Sequence, residues 1–210
     1  MVRRPVGIQV FVEGGGKGDD STIACRRAFN KLIERAGFRG RMPKIIACGS
    51  RQNAFERFEL ACAEDKRDCL LLVDSEGPVI HTSPWEHVRR RVGDGWNKPV
   101  SAEDDDLHFM VECMEAWIVA DLNAMRGHYG RALQESALPA RADVEQVPKR
   151  DLYEALGKAT RQAGDYGKGS DAFALLAAID PAVLRKACPW AKRFFVELDR
   201  RSSALAGPTR

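Results

Sequence analysis

Apolar and polar positions along the first third of the chain alternate in a strand–helix rhythm. Val6 to Val12 is mostly β-branched and aromatic and stops at glycines, which predicts a strand. After Gly14 to Gly16, Asp20 or Ser21 can cap a helix to about Ala36, with Ile23, Ala24, Ala28, Leu32 and Ile33 at helical spacing. Gly37 and Gly40 end it. Pro43 to Cys48 predicts a second strand. Ser50 caps a second helix to about Glu64, with Phe55, Phe58 and Leu60 as packing positions. Cys69 to Val73 is a continuous apolar run, as in a strand covered on both faces.

Further along the pattern thins. Gly77 to Pro99 reads as loop with a helical piece near Pro84 to Arg91, and Leu107 to Val111 as a fourth strand. Met114 to Tyr129 reads as helix broken near Asp121. Arg131 to Val147 is a weakly patterned connection, followed by helices over Asp151–Gln162, Ser170–Ala178 and Pro181–Leu198. The order predicts an α/β fold, a Rossmann-like, mostly parallel sheet flanked by helices, with a C-terminal helical extension. The expected division is a core over 1–130, a helical extension packed on it over 131–201, and a flexible tail over 202–210.

Composition narrows the class. The 210 residues are 44% hydrophobic and 30% charged, enough to bury a core. Lysine and arginine number 33 against 30 acidic residues, so net charge points neither toward nor away from nucleic acid. Six cysteines show no CxxC pair and no matching histidines, which disfavours zinc and fits reduced buried thiols. His81, His87, His108 and His128 are scattered, and His108 is expected in the core. No run approaches a membrane span of about 20 apolar residues. The basic start, Met1 to Pro5, precedes only a short apolar run holding Gln9, so no signal peptide and a cytoplasmic location are expected.

Candidate chemistry starts at "VFVEGGGKGDDST", residues 10 to 22. The glycines invite a phosphate-loop reading, but counting defeats it. Gly16-Lys17 is followed by Gly18 where a Walker loop needs Ser or Thr. Gly14 and Gly16 would put the third glycine of a dinucleotide fingerprint on Asp19. The acids do better. Glu13 ends the first strand, and Asp74 and Glu76 end the third in "LLLVDSEG". In an open parallel sheet these ends share one rim, where ligands bind. If strand geometry continues through Ser75, alternation aims Asp74 and Glu76 the same way. Clustered carboxylates repel unless a cation intervenes, and an all-oxygen set suits Mg2+ or Mn2+.

The stretches "VEGGG" and "LLLVDSEGPV" resemble the TOPRIM domain, the metal-binding fold of topoisomerases, primases and overcoming-lysogenization-defect nucleases. With "RMPKIIACGSRQNAF", "HFMVECMEAW" and "VPKRD", nearly the whole chain resembles a bacterial family, domain of unknown function 4276. One departure is Glu76, where the TOPRIM pattern has a second aspartate. The resemblance implies a divalent-metal-dependent nuclease acting on DNA or structured RNA. It also implies an effector of anti-phage defence beside a partner ATPase, and the lack of an ATPase motif in the chain fits that dependence. Glu13, Asp74 and Glu76 would hold the metal, and Glu115 in "CMEAW" would be a fourth catalytic candidate. Lys17, Arg51, Lys149 and Lys168 would meet phosphates, Lys149 at a helix start.

Other polar residues have blander expectations. Glu112 reads as a solvated helix start sharing a face with Glu115, and Trp117 as core. "EDDD" at 103 to 106 reads as a solvated loop, with reach to the metal as its alternative. "HVRRRV" at 87 to 92 reads as a solvated basic face or a tracker of nucleic-acid backbone. Trp85 and Trp96 beside it anchor a long loop. Two further functions stay open: a non-catalytic partner or sensor subunit on the same fold, and a phosphohydrolase of a small phosphorylated substrate.

Overall fold

The structure, a computed structural model, describes residues 7–16, 18–64, 68–139 and 141–206. Four strands form one sheet: β1 (Gln9–Val12), β2 (Lys44–Ala47), β3 (Cys69–Asp74) and β4 (Leu107–Met110). All neighbours are parallel, in the order β2-β1-β3-β4. The chain leaves β1 to one side to make β2, then crosses back to place β3 on the other side. The switch point of this Rossmann-like α/β sheet therefore lies between β1 and β3.

Helices α1 (Asp19–Ile33) and α2 (Arg51–Ala63) make these crossovers. Alternate strand residues feed two cores. Val10, Val12, Leu70, Leu72 and Met110 face α1 and the helices of the C-terminal half. Phe11, Leu71, Val73 and Phe109 face α2 and the loop after β3. Phe58 lies edge-on to Phe11, and Trp96 stacks on Phe55 with centroids 4.4 Å apart. Trp85 and Trp96 are buried there, which anchors the long loop. Leu60, expected to pack, is instead 65% exposed, because it lies off the face that Phe55 and Phe58 present to the sheet.

The remaining helices are α3 (Pro84–Arg90), α4 (Met114–Ala120), α5 (Leu122–Tyr129), α6 (Lys149–Thr160), α7 (Ser170–Ala178), α8 (Pro181–Ala187) and α9 (Pro189–Ala206). The break at Asp121 is present. Its carboxylate caps α5 through Asn123 and Ala124 and also accepts the Asp180 N–H at 2.7 Å, tying the C-terminal helices to the core. Among the described residues, 131–147 is mostly short 3-10 turns.

Several boundaries differ from expectation. α1 begins at Asp19 behind Gly18, with no side-chain cap from Asp20 or Ser21. α6 begins at Lys149, before Asp151. The single helix expected over Pro181–Leu198 is two, because the proline ring of Pro189 keeps Cys188 out of helical geometry (φ −124°, ψ 96°). The tail expected from Ser202 is still helix, with Ser202 buried; residues 207–210 lie outside the described residues. Val6 also lies outside them. All six cysteines are free and buried. No helix among the described residues is long and apolar enough to cross a membrane.

Candidate metal centre

The backbone at the end of β1 fixes the first acid. Glu13 donates its N–H to Leu72 O at 3.0 Å and accepts the Asp74 N–H on Oε2 at 3.1 Å. Its side chain therefore lies across the end of β3. The chain then turns hard: Gly14 and Gly15 have φ of 125° and 88°. A Cβ at Gly15 would sit 3.0 Å from Thr22 Cα, and one at Gly14 would sit 3.1 Å from Cys25 Sγ. Glycine is needed for the turn and for close packing on α1.

Asp74 is the last residue of β3 and caps α4 by accepting the Met114 N–H at 2.9 Å. The strand does not continue through Ser75. Glu76 instead has φ 58°, and Glu112 across from it has φ 61°. The two left-handed residues are bonded, Glu76 N–H donating to Glu112 O at 3.1 Å. Ser75 fills the angle between them. Its hydroxyl accepts the Glu112 N–H at 2.7 Å and donates to Gly77 O at 2.6 Å. His87 bonds Ser75 O at 2.8 Å. Glu76 thus reaches the rim by a tight turn, and its convergence with Asp74 has a different cause from the alternation expected. Left-handed backbone at two non-glycine residues is strain that the surrounding bonds must hold.

One carboxylate oxygen from each of Glu13, Asp74 and Glu76 lies within 4.8 Å of the others. Burial, then the nearby Glu13, holds the Asp74 carboxyl well above its ordinary range. Burial also raises Glu13, with Arg51 pulling the other way. Both shifts come first from burial, so a further cation beside these acids would favour their charged forms. An all-oxygen donor set fits a hard divalent ion such as Mg2+ or Mn2+.

Two cations already face these acids. Arg51 Nη1 lies 3.7 Å from Glu13 Oε2 and donates to Asp74 O. Its Nη2 holds Asp94 at 2.7 Å, and the guanidinium lies 4.7 Å over the Trp96 ring. Lys149 Nζ is 2.5 Å from Glu76 Oε1 and 3.7 Å from Asp74 Oδ2. Lys149 N–H donates to Glu112 Oε2 at 2.9 Å, which seats the start of α6 on the rim. Burial lowers the Lys149 ammonium, but Glu76 and Asp74 outweigh it and raise it.

The other expected residues are placed unevenly. Glu115 is buried beside Asp74, outside the converging trio, and accepts from Tyr166 Oη at 3.0 Å. Lys168 lies 5.0 Å over the Tyr153 ring, one helical turn beyond Lys149, rather than on the acids. Lys17 lies outside the described residues. Glu112 is buried, precedes the helix and is not a solvated helix start. Trp117 and His108 are fully buried core residues.

In the "EDDD" run, Glu103 and Asp105 are exposed as a solvated stretch would have them, but Asp106 is buried. Asp104–Asp106 forms a 3-10 turn leading into β4, at the sheet end opposite the acids, with Asp106 buried against Arg201. In "HVRRRV", His87 and Val88 are buried. Arg89 and Arg90 are exposed, as expected of a solvated basic face, and share Glu86; Arg91 pairs with Asp94, which also holds Arg51. Sequence reasoning missed Ser75, Asp94 and Tyr166. Asp94 and Tyr166 sit in loops whose partners lie far along the chain, and Ser75 looks like an ordinary turn serine.

Comparison with curated proteins and with solved structures gives no match. A family model does match, over residues 12–199, which spans β2 to β4, the last residue of β1 and every site residue above. This chain belongs to the family described as Domain of unknown function (DUF4276).

Proposed function

We propose that this chain is a divalent-metal-dependent nuclease of the TOPRIM type, cleaving phosphodiester bonds in DNA or RNA, with Glu13, Asp74 and Glu76 holding Mg2+ or Mn2+. The observation that carries the reading is the meeting of these three carboxylates at the switch point between β1 and β3. Bound there, the ion would neutralise a scissile phosphate and lower the pKa of a water.

The chain's own residues have distinct tasks. Glu13, raised by burial, is placed to take or give a proton at Oε1 or Oε2. Arg51 is clamped by Asp94 and Trp96, so it offers a fixed positive wall on the β1 side. Lys149 offers a second charge on the β4 side. Glu115, held by Tyr166, adds a further buried acid whose charge acts on Asp74. A role in anti-phage defence, in the cytoplasm and with a partner ATPase, belongs to the same proposal and rests on the motif resemblance.

The test measures cleavage of DNA and structured RNA with Mg2+ or Mn2+, with and without neighbouring gene products. It compares the wild type with Glu13→Gln and Asp74→Asn. Loss of cleavage in both variants is expected. Cleavage that persists unchanged in both overturns the catalytic assignment. No cleavage, with partner binding that survives both substitutions, favours the sensor subunit; hydrolysis only of small phosphorylated compounds favours the phosphohydrolase.

A further inference from the structure

The two cations at the rim are held in different ways. Arg51 has a side chain 10% exposed and is tied at once to Asp94, to Asp74 O and to the Trp96 face. It cannot leave without abandoning all three. Lys149 is 26% exposed and carries its ammonium on a flexible stem. That ammonium reaches Asp74, which ends β3, and Glu76 in the turn after it, and no comparable aromatic or backbone anchor is seen for it among the described residues. The backbone of Lys149 is fixed separately, by its N–H bond to Glu112. The side chain is therefore free to move while α6 stays in place.

Resting on the metal-centre reading above, we propose that Lys149 is an exchangeable counter-cation. Its ammonium stands in for the divalent ion at Asp74 and Glu76, and swings outward when the ion enters. Position argues for this. The ammonium occupies the side of the trio where two of the three candidate ligands lie, so an ion bound to those oxygens and the ammonium compete for the same atoms. Like charges at such a separation repel strongly in a partly buried site. Chemistry argues for it too, because a lysine is a compact point charge that can replace, and be replaced by, another hard cation.

Exchange links two events. Ion entry turns an ammonium committed to carboxylates into one free at the rim, still tethered to the first turn of α6. A phosphate arriving at the loaded centre then meets a cation that was unavailable before. Metal loading and phosphate binding would each favour the other, as linked equilibria require.

The experiment uses the full chain, stripped of metal with chelator. Mn2+ affinity is measured by calorimetry for the wild type, Lys149→Met, Lys149→Arg and Lys149→Met combined with Asp74→Asn. Side-chain ammonium resonances are followed in 15N-lysine-labelled protein as Mg2+ is added, with Lys149→Arg identifying the signal. Lys149→Met is expected to bind Mn2+ roughly tenfold more tightly, the scale of coupling between close charge pairs. Lys149→Arg, which keeps the charge, should not gain, and the double variant should lose binding. The Lys149 resonance should shift as the ion saturates. Ion binding of equal or lower affinity in a folded Lys149→Met, with an unmoved Lys149 resonance, overturns the exchange and leaves the metal centre standing. No ion binding by the wild type and by Lys149→Met alike overturns both.

Discussion

The two ends of the sheet both bury charge, and they treat it oppositely. At the N-terminal ends of β3 and β4, Arg201 pairs with Asp106 and with Glu197 (2.6 Å) and donates to Cys69 O. Burial pushes Glu197 up, yet its bonds to Arg200 and Arg201 outweigh this and leave it lowered. Burial likewise works against Arg201, and Asp106 and Glu197 more than restore it. At the C-terminal ends, Glu13 and Asp74 remain raised despite Arg51 and Lys149. One end is matched for structure. At the other, burial outweighs the cations that face the acids, a perturbation common at sites that bind or react. The contrast teaches that burial alone does not set a carboxylate's state; the partners that meet it decide.

The sharpest way to break this comparison is at the matched end. Arg201→Met leaves Asp106 buried without its cation and Glu197 with Arg200 alone. It should cost about 3–5 kcal/mol and lower Tm by on the order of 10 °C in a thermal melt. A loss under about 1 kcal/mol would mean the pairs are incidental. Next, Mn2+ at about a hundred times its Kd should stabilise the wild type by about 2.7 kcal/mol. The same addition should do nothing for Glu13→Gln, Asp74→Asn or Glu76→Gln.

Asp74→Asn should then separate stability from binding. In chelator at pH 7 the variant should be as stable as the wild type or about 1 kcal/mol more so, since the amide keeps the acceptor for Met114 N–H and removes an unwelcome charge. A clear loss of stability would sink this reading of Asp74.

The ends should also respond to pH with opposite sign. Asp74 and Glu13 have folded values raised above their unfolded ones. Their contribution is fully present below about pH 4 and is lost as pH rises through the folded values. The stability advantage of Asp74→Asn should therefore grow between pH 4 and pH 7. His108 is buried beside the matched end, and burial and Arg193 lower it to about 3. Its stability is present above pH 6.5 and is lost as pH falls toward 3, so His108→Gln should flatten the acid limb of the urea-unfolding profile. The smallest effect belongs to Lys168→Met. It loses only a contact over Tyr153 and should change stability by under about 1 kcal/mol, without altering Mn2+ affinity.

The acidic end of this contrast was legible in the chain, for local reasons, and the matched end was not. An apolar run closed by an acid is visible as a strand carrying a carboxylate to a rim, so Glu13 and Asp74 stood out. Ser50 as a cap and Asp121 as a break were visible because their side chains bond the next turn. Glu112, Lys149 and Asp94 depend on partners brought together by the crossovers, and nothing beside them in the sequence announces those partners. The left-handed turn at Glu76 was hidden for the same reason: glycine advertises such a turn, and glutamate does not. The split between α8 and α9 carried a signal in Pro189, outweighed by the apolar periodicity on both sides of it.

The parallel register of β1 against β3 has a consequence for how the protein comes to exist. The two strands are separated in the chain by β2 and both crossover helices, so their pairing is a non-local event that closes slowly. Glu13 and Asp74 are far apart until that pairing is made. A cation that needs both acids then has nothing to grip in the early collapsed chain and cannot template its folding. It would act afterwards, slowing escape from the finished state more than hastening arrival, so that metal would lengthen the lifetime of the folded molecule while leaving its birth rate almost unchanged.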